Sequence, residues 1–293
     1  MTTATRNGFP TEARPAAEVY PRKGLAPIPP PPRSKDPGYP DWQHRRLSPE
    51  TLDQHFPRGA ERNVGNLNGE PSGNAADVDL DSPEARRAAD RLLPPTGWVF
   101  GRKSSPRSHW EYRTDEPFGA ASAAYADLDG QMLVELRGTG GLTVFPPSTH
   151  QETGEDIRWE RFEEPAHVAL TDLARAVWEV AAAALLARHW PDEGNRDRAA
   201  MALSGGLARA GWSDERVSCF ALAVAEAAGD EGARSRANKA ERTCCARFGV
   251  GSPALLMTTA NGVAVRPDGS LLRRRVARAA AAGRSWRGHT SGA

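Results

Sequence analysis

The chain has 293 residues, and its 38 Lys and Arg residues against 37 Asp and Glu residues give a formal net charge of +1. A charge this close to zero excludes a histone-like binder of nucleic acid, although local basic surfaces can still form. The longest apolar run, residues 180–187, is too short to cross a bilayer, and the N-terminus lacks the apolar segment of a secretion signal. The three cysteines cannot form a disulfide framework or a four-ligand zinc site on their own. We therefore expect a cytoplasmic protein without a membrane partner.

The first elements in chain order are irregular. Residues 1–16 are polar and have no periodicity, which predicts a disordered leader. The proline-rich stretch 25–33 predicts a short edge strand that runs into a turn, because proline cannot donate to a central ladder. Ser48 followed by Pro49 predicts the start of a helix, with Ser48 as its N-cap.

A strand-rich region extends to about residue 165. Ser82 and Pro83 predict the start of a helix that ends near Leu93. Alternating or apolar runs predict short strands on either side of that helix. Residues 17–165 are therefore predicted to form one α+β domain with a mixed or antiparallel sheet. The predicted strands cover 63–69, 75–81, 98–100, 109–113, 132–136, 142–145 and 157–159.

The composition changes after this region. Residues 170–248 are rich in Ala, Leu and Arg at helical spacing, which predicts a bundle of about four helices within 166–250. Ser213, followed by two acids, is predicted to begin one of these helices. Residues 251–293 carry seven arginines and one acid. This predicted disordered tail is either a basic arm for nucleic acid or an end without a dedicated role.

Three carboxylates alternate in the predicted strand 75–81, at Asp77, Asp79 and Asp81. In a strand, side chains two residues apart lie on the same face, roughly 7 Å apart. Burying like charges this close together is unfavourable unless a cation neutralises them. The pattern therefore favours a cation site at the end of the strand, and its alternative is an exposed edge or an Asp-rich turn.

Glu135 is a further carboxylate, and it lies inside an otherwise apolar predicted strand. One interpretation is an ordinary solvent-facing position. The other is that Glu135 joins the aspartates as a third carboxylate around a divalent ion. Such hard oxygen ligands suit Mg²⁺ or Mn²⁺, which usually also bind the phosphates of a substrate.

Lys103, Arg107, Ser108 and His109 form a group of polar residues at the start of a predicted strand. These donors and charge partners are suited to a triphosphate, and a basic surface loop is the alternative interpretation. His150, in a Pro-Pro-Ser-Thr-His segment, has the same two interpretations. The sequence has no P-loop signature and no GxSxG, HExxH or CxxC motif.

Several of these segments follow one another in a particular order. They are Arg33–Pro37, Gly69–Gly73, Asp77–Glu84, Gly101–His109, Leu133–Gly138 and Pro146–His150. Taken together, the series resembles the bifunctional primase–polymerase domain of phage, plasmid and mobile-element replication proteins, in the archaeo-eukaryotic primase superfamily. The resemblance covers about residues 17–165, and the helical segment is similar to the bundle that often follows this domain. It implies an RRM-like catalytic domain followed by a C-terminal α-helical bundle.

The resemblance also implies roles for the residues that match its motifs. Asp79 and Asp81 match the acid pair and Glu135 the third acid, so these three residues would hold two Mg²⁺ or Mn²⁺ ions. His109 matches the histidine that contacts the triphosphate. Further nucleotide-binding residues would be Lys103, Arg107, Ser108, Arg137 and His150.

The chain departs from the family pattern at several positions. Arg107 stands where a small residue is usual, and the third acid is Glu rather than the commoner Asp. Asn66 and Asn68 interrupt a strand that is usually more apolar. Asp77 is an additional neighbour of the acid pair.

The function that follows from the resemblance is template-directed nucleotidyl transfer by a DNA primase or polymerase. Its partners would be a single-stranded DNA template, NTPs or dNTPs, and a replicative helicase carried by a separate chain. Two alternatives come from other classes of protein. One is a metal-dependent nuclease, and the other is a catalytically silent replication accessory that binds DNA.

Overall fold

The computed structural model describes residues 5–6, 8–119 and 122–236, together with three two-residue strands further along the chain. The predictions for the tail 251–293, and for helix beyond residue 236, lie outside the described residues apart from those strands. The described chain is a mixed α+β protein with antiparallel sheets and several helices.

Strands dominate the first two thirds of the chain. The elements up to residue 114 are β1 (Thr5–Arg6), β2 (Phe9–Pro10), α1 (Ala13–Arg22), β3 (Pro27–Ile28), a 3₁₀ turn (Trp42–His44), α2 (Leu52–His55), β4 (Val64–Leu67), a 3₁₀ turn (Glu70–Ser72), β5 (Ala75–Asp79), α3 (Pro83–Leu92), β6 (Trp98–Arg102) and β7 (Ser105–Thr114). The remaining strands before the C-terminal helices are β8 (Ser122–Ala126), β9 (Met132–Arg137), β10 (Leu142–Phe145), β11 (Ser148–Thr149), β12 (Asp156–Phe162) and β13 (Ala166–Val168).

Helices follow these strands. They are α4 (Leu170–Arg188), a 3₁₀ turn (Glu193–Asn195), α5 (Arg196–Arg209) and α6 (Asp214–Ala227). The last described strands are β14 (Met257–Thr258), β15 (Ala264–Val265) and β16 (Leu271–Leu272). None of the helices in the described part of the chain is both long and apolar enough to traverse a lipid bilayer.

The large sheet has the strand order β11–β12–β6–β7–β5–β9–β8, and all of these neighbours are antiparallel. β13 adds a parallel partner beside β7. A second, three-stranded sheet has the order β10–β4–β3, with β3 at its edge. The edge position of β3 agrees with the proline-rich sequence, because a central strand would need the missing N–H donors.

The two faces of the large sheet are covered differently. On β5, Val78 and its alternating neighbours lie in an apolar cluster with α3, α4 and α6. Ala75 lies on the other face, in an aromatic cluster with α1 that includes Phe100, Phe145 and Trp159. Thr143 of β10 also contacts this second face, so the small sheet packs against it. β5 is therefore buried on both sides, as its five buried residues show.

Local capping explains where two helices begin. The Ser82 hydroxyl accepts a hydrogen bond from the Ala85 N–H at 3.1 Å, and Pro83 occupies the first turn of α3. Ser213 accepts from the Arg216 N–H at 3.3 Å in the same way and begins α6. Both helix starts are as the sequence predicts.

The helix predicted to begin after Ser48 begins later in the structure, at Leu52, with Thr51 as its N-cap residue. Instead of capping a helix, Ser48 donates its backbone N–H to the Thr51 hydroxyl at 3.0 Å. The helix α2 has only four residues and ends before Phe56. Phe56 precedes Pro57, and a residue before proline is disfavoured in the helical conformation.

Residues 8–16, which the sequence predicts to be part of a disordered leader, have a defined place in the structure. They include β2 and the first turn of α1. The Phe9 ring is buried against Tyr20 and Phe162, with ring centroids 5.4 and 4.8 Å away. One aromatic side chain thus anchors a segment whose composition is otherwise polar.

Candidate active site

The register of three adjacent strands brings predicted site residues to one face of the large sheet. β5 lies between β7 and β9. Opposite Asp79 are His109 on β7 and Glu135 on β9. We call these three residues the Asp79 row. Because directly opposed residues of antiparallel strands share a face, their side chains are neighbours.

A second row lies two residues further along the same strands. Opposite Asp77 are Glu111 on β7 and Arg137 on β9, and these three form the Asp77 row. Asp77 and Glu111 are fully buried. The two rows together place four acids, one histidine and one arginine on the face that also carries the aromatic cluster.

His109 belongs to the Asp79 row, and its ring contacts the aspartates of both rows. Its ring stacks on Phe100 with centroids 4.5 Å apart and an interplanar angle of 9°. Its Nδ1 lies 3.2 Å from both carboxylate oxygens of Asp77, and its Nε2 lies 3.7 Å from Oδ1 of Asp79. Burial lowers the pKa of His109, but the charges of Asp79 and Asp77 outweigh burial and raise it overall.

Arg137 reaches the acids of both rows. Its Nη2 lies 2.6 Å from Asp79 and 2.7 Å from Glu135, and its Nη1 lies 3.3 Å from Asp77. Burial lowers the pKa of Arg137, but the three carboxylates raise it by more than burial lowers it. The guanidinium therefore stays charged. In this structure Arg137 is therefore the counter-charge of the carboxylates.

Asp81 lies two residues beyond the end of β5 rather than within the strand. Burial, followed by the charge of Asp79, raises the pKa of the Asp81 carboxyl to about 7. Arg137 and His109 oppose this rise without cancelling it. The Asp81 carboxyl therefore takes up a proton more readily than an ordinary aspartate.

The donor chemistry fits a divalent ion, although the side chains are not arranged around one. Among the residues that the structure describes, no three His, Cys, Asp or Glu side chains are grouped closely enough to hold a metal ion. The Arg137 guanidinium lies between Asp79 and Glu135 instead. Carboxylate oxygens are the preferred ligands of Mg²⁺ and Mn²⁺, and a cation bound at Asp81 would oppose the causes that raise the pKa of its carboxyl. An ion held by these acids would have to replace the guanidinium.

Cationic side chains lie beside the end of the sheet that carries Asp81. The Arg86 guanidinium donates to the backbone carbonyls of Leu80 and Asp81 at 3.1 and 3.3 Å. Burial, followed by the charge of Arg102, lowers the pKa of Arg86, and the same causes in the same order lower the pKa of His150. Arg102 is therefore close enough to repel both Arg86 and a protonated His150, and we call these three residues the basic rim.

Glu155 joins the turn that follows Arg102 to the turn that carries His150. It accepts a hydrogen bond from the Ser104 backbone N–H at 3.0 Å and lies 3.4 Å from Nε of Arg102. The His150 side chain is bonded to Thr153 in the same turn as Glu155, at 3.1 Å. Lys103 is exposed in the turn between β6 and β7, next to Ser104. The predicted residues Lys103 and His150 therefore lie on adjoining turns.

The structure directs Arg107 and Ser108 away from the acids. Arg107 forms ion pairs with Asp90 of α3 and Glu160 of β12. Its backbone has a φ of 56°, and the register between β6 and β7 shifts at the adjoining bulge, so strand alternation does not extend to it. Ser108 is buried next to His109 and, by alternation, lies on the opposite face of β7.

Sequence reasoning missed several residues of the site. Arg86 lies outside the motif segments, Arg102 lies within the Gly101–His109 segment but received no role, and Thr143 had no distinguishing feature. Thr143 donates to Asp77 at 2.6 Å and accepts from the Asn68 side-chain amide at 2.8 Å. The one available signal was Asn68, a polar residue in a strand expected to be apolar.

The fold and the two rows define an α+β protein with a carboxylate-centred polar site on an antiparallel sheet. The sequence model of the family described as bifunctional DNA primase/polymerase, N-terminal, matches residues 16–171. The chain belongs to this family, and the resemblance seen in the sequence is confirmed. No curated protein matches the chain.

Membership gives the general chemistry of the protein. The family is one of primase and polymerase domains with nucleotidyltransferase activity, and its members use divalent metal ions. A domain of this kind binds DNA and nucleotides.

Proposed function

We propose that this protein is a template-directed DNA primase or polymerase whose reaction takes place at the Asp79 row. The observation that carries the proposal is the register that sets His109, Asp79 and Glu135 side by side on three strands. Acids that would bind ions and a histidine that would bind phosphate are thereby brought together from distant parts of the sequence.

Asp79, Asp81 and Glu135 would hold the divalent ions, two Mg²⁺ or Mn²⁺. When bound, such ions lower the pKa of the attacking 3′-hydroxyl and neutralise charge on the departing pyrophosphate. The fit rests on the donor chemistry of these acids. Arg137 contacts Asp79 and Glu135 in this structure.

The remaining residues would position the nucleotide. His109 would contact the triphosphate through Nε2, because its Nδ1 is turned towards Asp77. Arg86 and Arg102 of the basic rim, together with Lys103, would supply further charge-assisted contacts to phosphate oxygens, and His150 would supply a hydrogen bond. Arg107 and Ser108 have no part in this proposal, since their side chains lie away from the acids. Positioning and charge neutralisation together would provide most of the catalysis.

The wider setting follows the resemblance. We infer replication of a phage, plasmid or other mobile element, a single-stranded DNA template, and a helicase supplied by a separate chain. An RRM-like plan for the catalytic domain and a bundle of about four helices after it belong to the same proposal.

The test is an extension assay with the purified chain, a single-stranded template, labelled dNTPs and NTPs, and Mg²⁺ or Mn²⁺, with and without a primer. We expect metal-dependent products, and loss of those products in Asp79→Ala. The matched control is Asp90→Ala, because Asp90 is an exposed acid on α3 whose partner is Arg107. The control variant should extend like the native chain.

Each other outcome points to a different class of protein. Products without a primer would identify a primase. Degradation of the template without nucleotides would identify a nuclease. An intact template with retained DNA binding and no product would indicate a replication accessory. Extension by a well-folded Asp79→Ala would contradict the role of this row.

A further inference from the structure

Asp77 is the one acid of the two rows that is fully buried and fully hydrogen-bonded. It accepts from His109 Nδ1 at 3.2 Å, from Thr143 Oγ1 at 2.6 Å and from Arg137 Nη1 at 3.3 Å. An ionised carboxylate has only acceptors, so the nitrogen that faces Asp77 must carry a proton. The contact therefore determines which ring nitrogen of His109 points inwards.

The contacts around Asp77 are themselves supported from the small sheet. Thr143 of β10 donates to Asp77, and Asn68, which follows β4, donates to Thr143 at 2.8 Å. Phe100 stacks on the His109 ring and restricts its tilt. A series of hydrogen bonds thus connects the small sheet to the large one. It links Asn68 to Thr143, Thr143 to Asp77, and Asp77 to His109 of the Asp79 row.

Burial of a carboxylate is unfavourable unless every lone pair finds a donor. An apolar residue at position 77 would pack against the aromatic cluster without that cost. An acid at this position can instead bond and orient its neighbours. Asp77 bonds one edge of the His109 ring and leaves the other edge, with Nε2, towards Asp79.

We propose that Asp77 is a positioning residue, whose carboxylate holds His109 with Nδ1 inwards so that Nε2 is presented to the triphosphate of the incoming nucleotide. The proposal rests on the proposed function of the Asp79 row. It assigns to Asp77 no contact with the substrate or with a metal ion.

The experiment compares Asp77→Asn, which keeps an acceptor oxygen, with Asp77→Val, which has none. In ¹⁵N-histidine spectra of the full chain, the His109 signal is assigned by its absence in His109→Gln. We expect the native chain to show a His109 Nδ1–H proton protected from exchange with water. Asp77→Asn should retain this proton, and Asp77→Val should lose it.

Extension kinetics give the second readout. Asp77→Val should raise the KM for the nucleotide by about 10-fold or more, the usual range for loss of a supporting contact, with a smaller change in kcat. Asp77→Asn should restore most of the affinity. If Asp77→Val does not fold, Thr143→Val replaces it, since that variant removes one donor to Asp77 and should give the same pattern at smaller amplitude.

The outcomes separate this proposal from the proposed function. An unchanged His109 proton and an unchanged KM in folded Asp77→Val would overturn the positioning role while extension by the native chain stands. A native chain without extension activity would overturn the proposed function. The spectra alone would then decide whether Asp77 orients His109.

Discussion

The two faces of the large sheet differ in what their buried side chains do. On the face towards α3, α4 and α6, alternate residues of β5 and its neighbours are apolar and bury surface from water. On the other face, the same strands carry the Asp79 and Asp77 rows among aromatic rings. Burial of the apolar face stabilises the fold, whereas burial of the charged groups on the other face lowers the free energy of unfolding.

The aromatic surroundings matter for the second face as much as the charges. Phe100, Phe145 and Trp159 pack edge to face with ring centroids within 5.4 Å of one another, and Phe100 stacks on His109, so the charges lie in apolar surroundings. In such a medium the interactions of Asp77 and Arg137 are stronger than in water. The comparison teaches that adjacent residues of one strand have separable roles, which neighbouring substitutions can test.

The largest expected effect comes from Glu135 and Leu136, which are consecutive on β9 and lie on opposite faces. Glu135→Gln should reduce primer extension by roughly 100- to 1000-fold, because a charged ligand for the ions is lost. Leu136→Ala should lower the free energy of unfolding by about 2–5 kcal/mol, because Leu136 is buried in the apolar cluster. Initial extension rates and urea unfolding measure the two effects.

Each variant of that pair serves as the control for the other. Glu135→Gln should lose at most about 1 kcal/mol of stability, because Arg137 keeps its contacts with two other acids. Leu136→Ala should retain its rate per folded molecule at low temperature. An equal loss of stability and of rate in both variants would contradict the division between the faces.

The next effect concerns the counter-charge. Arg137→Gln leaves Asp77, Asp79 and Glu135 without their cation, so stability without metal should fall by about 3 kcal/mol. Added Mn²⁺ should then raise the melting temperature more than it does in the native chain, because the ion no longer competes with a guanidinium. Thermal unfolding in EDTA and in Mn²⁺ provides the measurement.

Arg188→Gln is the matched control for the arginine substitution. Arg188 pairs with Asp127 and Glu84 and has a similar side-chain exposure, 21% against 19% for Arg137. It should lose stability without any gain in the response to Mn²⁺. A larger response to Mn²⁺ in Arg188→Gln than in Arg137→Gln would argue against ion binding at the rows.

The smallest effect compares two arginines of one hairpin. Arg102→Gln should raise the KM for the nucleotide by about 10-fold, because one charge-assisted contact to phosphate is lost. Arg107→Gln should leave this KM within about twofold, since its partners are Asp90 and Glu160. Steady-state kinetics with varied dNTP concentration measure both KM values. A larger rise of the KM in Arg107→Gln than in Arg102→Gln would place Arg107 in the nucleotide site.

Local features of the fold were predictable from the sequence. The capping residues Ser82 and Ser213 each predict the start of a helix, and the alternation in residues 75–81 predicts β5. The burial of Phe9 was not predicted, because it depends on distant aromatic partners. The later start of α2 was not predicted either, because the Thr51 hydroxyl bonds back to the Ser48 backbone.

The candidate site was predictable in its residues but not in its arrangement. Asp79, His109 and Glu135 come from the resemblance, yet their alignment depends on the pairing of strands far apart in sequence. Arg107 was assigned to the nucleotide by its proximity to His109 in sequence. The bulge at Gly101 turns it away, and a side chain at Gly101 would meet the Ser105 carbonyl at 2.4 Å. Arg137 is named from the resemblance as a nucleotide-binding residue, but its contacts with three carboxylates are not predicted from the sequence.

The shared apolar cluster has a consequence for how such chains are assembled in evolution. The family match ends at residue 171, but the face of the sheet that carries Val78 is covered by Leu173, Val177 and Trp178 of α4. The limit of sequence similarity is therefore not a limit of folding. Recombination that joins a foreign segment after residue 171 must also bring a helix that fits this face, or the exchanged protein will expose it and aggregate.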